Sequence, residues 1–178
     1  MLPSAPTPPP PPIVLPTARA WAVAWTKARC EKALVEFLEA QSVPTFLPLL
    51  SKRRMYGRQV RYSQIPLFSG YVFFDYEAIP RLRVFESRKV AQILVPDDPS
   101  QLRLDLENLA LALQKDDSLR EARFGGPGTP VYVARGPLIG VHGELVRFES
   151  RSTLVIRVNF IGKAAELEID EAFVEPIL

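Results

Sequence analysis

The sequence predicts an α+β protein in two parts. An α+β domain is expected over about residues 19–115, a linker over 116–127, and a small five-stranded β-barrel over 128–178. Three observations carry this expectation. Helical stripes alternate with short strand-like runs through the first part. The strongest breaker cluster of the chain, Gly125-Gly126-Pro127-Gly128, follows. Beyond it, five strand-like runs fall within about 50 residues, separated by turn residues, which is the spacing of a small barrel.

Taken in order, residues 1–18 hold eight of the 18 prolines, with Pro8 to Pro12 consecutive. Such a run favours extended polyproline II and cannot form a packed core, so a disordered tail is expected, as a spacer or a ligand for a proline-recognising partner. Ala20 to Thr26 reads as a strand with Trp21, Val23 and Trp25 on one face, and alternation leaves open which face is buried. With Thr26 as N-cap, a helix is expected over Lys27 to Ala40. Cys30, Ala33, Leu34, Phe37 and Leu38 form its apolar stripe, and Glu31, Lys32, Glu36 and Glu39 its polar side. Val43 to Leu49 is interrupted by Pro44 and Pro48, which demotes it to an edge strand. Lys52, Arg53, Arg54, Arg58 and Arg61 put five positive charges in ten residues with no acid among them, around a turn at Gly57. Ile65 to Phe74 follows with four aromatics in ten, and Tyr71 to Phe74 has the composition of a buried strand. A short helix is expected over Glu77 to Ser87 with Pro80 in its first turn, a strand over Val90 to Val95, and a helix over Leu102 to Leu113. The strands of the second part are expected at Pro130–Ala134, Val141–Phe148, Thr153–Phe160, Ala164–Ile169 and Phe173–Ile177.

Composition excludes several function classes. At 47% hydrophobic and 24% charged, the chain reads as an ordinary globular protein. A net charge of +2 means that any nucleic-acid contact must come from local patches. One cysteine rules out an internal disulfide framework and a multi-cysteine zinc site. No apolar run is long enough to span a membrane, and the proline leader lacks the basic and apolar regions of a secretory signal, so a cytoplasmic protein is expected. His142 is the sole histidine and has no sequence neighbour that would orient it as a base. With no phosphate loop, metal spacing or nucleophile elbow, the chain reads as a non-enzyme with no catalytic residue, no metal and no cofactor.

The pieces resemble a known family. The Trp-bearing strand, amphipathic helix, basic hairpin, "PLFSGYVFF", "SRKVAQILV", glycine linker and "GTPVYVARGPLIGVHGELVRF" are similar, in that order, to the NusG family of transcription elongation and antitermination factors. The resemblance runs from about Arg19 to Leu178. It implies an N-terminal antiparallel sheet flanked by helices and a C-terminal SH3-like barrel carrying the KOW motif. Gly136-Pro137, Gly140 and Gly143 fit that motif.

The resemblance also implies partners. Trp25 and Tyr71, with Phe68 and Ile93 nearby, would line an apolar concavity for the clamp coiled coil of RNA polymerase. Lys27 and Arg88, helped by Lys52, Arg53, Arg54 and Arg58, would contact upstream DNA near the transcription fork. Phe160 and Ile161 would meet ribosomal protein S10 or the termination factor Rho, and the protein is expected to be a monomer. Two departures matter: Ser69 stands where the family usually has proline, and Pro80-Arg81-Leu82 stands where the specialised paralogue RfaH carries His-Thr-Thr. In RfaH the C-terminal part can rest as helices, but Val131, Val133, Val155, Ile156 and Val158 favour strands here. The competing expectation is a KOW-containing RNA-binding or ribosome-associated module. Five positive against seven negative charges in residues 128–178 weigh against nucleic acid at the barrel and for a protein partner.

Overall fold

A computed structural model describes residues 13–122 and 127–178. Most of the proline run and part of the glycine cluster lie outside these residues. From Ile13 onward the expected tail is packed: Ile13, Leu15 and Ala18 lie against the main core, and Gln114 Nε2 donates to the Ile13 carbonyl.

The first sheet has four antiparallel strands in the order β2-β5-β1-β6. β1 (Trp21–Thr26) lies between β5 (Tyr71–Asp75) and β6 (Val90–Leu94), and β2 (Thr45–Phe46) is a two-residue edge strand between Pro44 and Pro48. The helix expected from Lys27 begins later, as α1 (Glu31–Glu39). Arg29 adopts a left-handed φ of 59°, so the chain turns before it can coil. Thr26 therefore ends β1 instead of capping α1, and its buried hydroxyl finds no hydrogen-bond partner among the described residues. β3 (Leu49–Tyr56) and β4 (Gln59–Pro66) form the basic hairpin as a separate two-stranded sheet, turning at Gly57 with φ 62°. α2 (Arg81–Glu86) is shorter than expected because Pro80, extended at ψ 137°, occupies the N-cap.

α3 (Pro99–Lys115) starts cleanly: the Asp98 carboxylate accepts from the Ser100 and Gln101 amides at 3.0 and 3.4 Å. Its place explains the whole architecture. α1 and α2 cover one face of the first sheet, where Ala22, Ala24, Val72, Phe74 and Ile93 meet Leu34, Leu38 and Val84. On the other face, Trp21, Val23 and Phe73 share a core with Leu102, Leu106 and Leu109 of α3. That core continues without a break into Val131, Leu145, Leu154, Ile156 and Val158 of the second sheet.

The second sheet contains the five expected strands: β8 (Thr129–Val133), β9 (His142–Phe148), β10 (Arg151–Val158), β11 (Lys163–Glu168) and β12 (Val174–Pro176). A sixth, β7 (Arg120–Glu121), comes from the expected linker and pairs with β11, giving the order β12-β8-β9-β10-β11-β7. Arg120–Glu166 and Lys163–Glu121 ion pairs at 3.0 and 2.8 Å fasten it. Polar groups also tie α3 to this sheet. Asn108 donates to the His142 carbonyl at 2.7 Å and accepts from the His142 amide at 2.8 Å. Asp105, 9% exposed, accepts from the Asn159 amide at 3.1 Å, and Lys115 reaches the Ile139 carbonyl at 2.8 Å.

A candidate docking site at the open end of the first sheet

The two tryptophans of β1 point to the same face, yet Trp21 is 1% exposed and Trp25 is 48% exposed. Trp21 lies in the core that α3 closes, and Trp25 stands clear of it at the strand's end. Trp25 faces Tyr71 across the β1–β5 ladder and Gln92 across the β1–β6 ladder. Its indole lies over Gly70: a methyl group there would sit 3.5 Å from Cδ1 and 3.6 Å from Nε1. That is ordinary contact, so it is the φ of +86°, not space, that calls for glycine at this turn.

A buried carboxylate holds the turn. Glu31, on the side of α1 expected to be polar, is 6% exposed, and its Oε1 accepts from the Gly70 amide at 2.7 Å and the Ser69 hydroxyl at 3.5 Å. The Gly70 carbonyl in turn accepts from the Thr26 amide at 2.8 Å. Ser69, the departure from the family pattern, thus bonds to the same carboxylate that fixes Gly70.

Beside the aromatics lies a cationic edge. The Lys27 amide donates to the Lys89 carbonyl at 2.8 Å, which brings Lys27, Arg29, Arg88 and Lys89 together at one end of the sheet. Arg29 and Arg88 both hold left-handed φ values, 59° and 61°, a strained backbone for non-glycine residues. Among the described residues, no salt bridge engages these four side chains. Sequence reasoning passed over Arg29 and the role of Glu31. The charge of Arg29 was readable; the backbone turn that aims it was not.

The structure separates other expected site residues. Phe68 is fully buried in the main core and presents no surface. Ile93 pairs with Ala24 and therefore lies on the opposite face from Trp25, 7% exposed under the α1 and α2 layer. A one-residue offset in register is enough to move a side chain to the other face. Lys52, Arg53, Arg54 and Arg58 are exposed on the hairpin. Arg81 and Leu82 are exposed at the start of α2.

The loop of the second sheet comes close to Tyr71. Asn159–Ile161 forms a 3-10 turn ending at Gly162, φ 63°. Phe160 is 37% exposed, whereas Ile161 is half-buried and packs, like Tyr71, against the main core. Lys163 is held more firmly protonated than usual, first by its hydrogen bond to Glu121, with burial opposing; the charge of Glu121 and the Tyr71 phenol add to the shift. The aromatic end of the first sheet and the loop of the second are therefore neighbours. His142 is exposed, with its ring 6.3 Å from that of Tyr132, and no described group of three or more His, Cys, Asp or Glu side chains is placed to hold a metal.

A family model described as transcription termination factor nusG matches residues 19–104, which include β1, the Gly70 turn, the hairpin and the cationic edge. Comparison with curated proteins finds no match. Among solved structures, one described as domain interaction in Thermotoga maritima NusG is 21% identical, covers 89% of this chain and 97% of that chain, and has a TM-score of 0.44. Residues 19–104 of the chain thus match the NusG family of transcription factors.

Proposed function

We propose that this protein is an elongation-phase transcription factor that docks on the clamp coiled coil of RNA polymerase through Trp25 and Tyr71. The observation that carries the reading is Trp25: a half-exposed indole, backed by a glycine turn, at the open end of the family-matched sheet. Aromatic side chains of this kind are favoured anchors for a helical partner. The cationic edge formed by Lys27, Arg29, Arg88 and Lys89 then faces upstream DNA near the fork, neutralising phosphates without reading sequence. Phe160 and Ile161 offer a second protein contact, for ribosomal protein S10 or Rho. Ile161 and Tyr71 both pack against the main core.

The test is binding of purified RNA polymerase to the full chain. Trp25→Ala should weaken binding about 30-fold, the ~2 kcal/mol of a truncated hot spot. Arg88→Gln should leave that binding intact and lower the affinity of the complex for upstream duplex in a salt-dependent way. A Trp25→Ala protein that binds polymerase as well as the parent would defeat the reading.

A further inference from the structure

The Gly70 turn is poorly held by its own residues. Its internal hydrogen bond, from the Tyr71 amide to the Phe68 carbonyl, is long at 3.3 Å. Its glycine sits at φ 86° and is the residue type with the most conformational freedom to lose. Two bonds from outside the turn fix it. The Gly70 carbonyl accepts from the Thr26 amide at 2.8 Å, and the Gly70 amide donates to Glu31 Oε1 at 2.7 Å. The first ties the turn to the residue after Trp25, and the second ties it to the start of α1.

The second tie comes from a residue that burial disfavours. Glu31 is 6% exposed, and among the described residues no salt bridge engages it. A carboxylate withdrawn from water without a cation beside it works against stability. What it supplies is strength, because a charge-assisted bond is short, as here, and roughly twice as strong as a neutral one.

The turn gripped in this way carries both aromatics of the docking site. The Trp25 indole lies over Gly70, and Tyr71 comes next in the chain, opposite Trp25 in the β1–β5 ladder. Side chains already held in place lose less freedom when a partner arrives.

We propose that Glu31 is a positioning residue for this docking site. Its carboxylate lies under the turn and does not meet the partner. Through the Gly70 amide it holds the turn on which the Trp25 indole rests, so that Trp25 and Tyr71 are set before docking. The proposal rests on the docking reading above and adds to it the residue that prepares the surface.

The experiment measures binding of purified RNA polymerase by the full chain and by Glu31→Ala, Glu31→Gln, Trp25→Ala and Glu31→Ala/Trp25→Ala, each at a temperature where circular dichroism shows it folded. Glu31→Ala should bind about fivefold more weakly, the ordering cost of one side chain. Glu31→Gln keeps the acceptor and should fall between Glu31→Ala and the parent. Because Glu31 acts through the aromatics, the loss in Glu31→Ala/Trp25→Ala should fall short of the two single losses combined, whereas a residue that only stabilises the fold would add its loss in full. In NMR spectra the indole N–H resonance of Trp25, assigned from its absence in Trp25→Ala, should move or broaden in Glu31→Ala while that of Trp21, buried in the core, stays in place. If Glu31→Ala does not fold, Glu31→Asp, which draws the acceptor back by a methylene group, takes its place in each comparison. A folded variant that binds as the parent does, losses that add in full, or an unmoved Trp25 resonance would overturn the proposal. If Trp25→Ala weakens binding and Glu31→Ala does not, this proposal alone fails. If Trp25→Ala binds as the parent does while the Trp25 resonance still moves in Glu31→Ala, the hold of Glu31 on the indole stands and the docking reading alone fails.

Discussion

Trp21 and Trp25 share a strand and a face, so their sequence context is nearly the same, and only the extent of α3 decides that one is core and the other surface. Glu31 shows the reverse case: helical periodicity puts it on the polar side of α1, yet the Gly70 turn folds over it. Glu31→Ala removes the acceptor for the partly buried Gly70 amide and should cost about 1–3 kcal/mol in urea denaturation. Gly143 is a packing requirement: a methyl group there would lie 2.7 Å from the Val155 carbonyl oxygen and 2.8 Å from Leu154 Cδ1. Gly143→Ala should destabilise by about 1–3 kcal/mol, read as a lower denaturation midpoint at unchanged slope. One carboxylate makes stability depend on pH. Glu144 accepts two bonds from Arg157, both 2.9 Å, and one from the Gly128 amide at 3.1 Å. The Arg157 hydrogen bond, partly opposed by burial, holds its carboxyl below the ordinary glutamate range. A lowered folded value means that this stabilisation is complete above the ordinary range and is lost as pH falls through and below it. Glu144→Gln should flatten that acid limb of the stability profile; an unchanged limb would show that the pair contributes nothing there.

At the scale of elements, the strands were legible from their β-branched and apolar runs, although burial along them does not alternate cleanly. Leu154, Ile156 and Val158 lie on β10 and are buried, but so are Thr153 and Val155, while Phe160, which continues the alternation, lies exposed in the following turn. The leucine stripe of α3 was legible as a helix, but periodicity cannot say that the helix serves two sheets. Its buried Asp105 and its Asn108 record the second allegiance, through backbone partners far away in the chain. β7 left even less trace, because two residues that pair through main-chain bonds and ion pairs have no hydrophobic pattern to read. Hydrogen exchange gives the check on α3: Asn108→Ala should speed exchange at the His142 amide well beyond the change at β1 amides. Unchanged exchange at His142 would mean that the apolar contacts of α3 alone hold the sheet.

Over the whole molecule, a two-part chain with a glycine-rich breaker suggests two independently melting units, but the main core runs from Trp21 through Leu106 to Ile156 without interruption. Calorimetry should therefore show a single cooperative transition, with the calorimetric enthalpy equal to the van't Hoff value. Two resolved transitions would mean that α3 sides with one sheet and merely touches the other. The placement of β7 carries one more consequence, and it concerns distance. While β7 stays paired, only residues 116–119 join α3 to the second sheet, and four residues reach at most about 14 Å. If β7 peels from β11, residues 116–128 become the tether and the reach grows to about 45 Å. Two partly exposed ion pairs and a two-residue ladder thus work as the catch on a retractable leash. Were the shared core to open, that length would set the local concentration of one half around the other, and salt would weaken the ion pairs that keep it short.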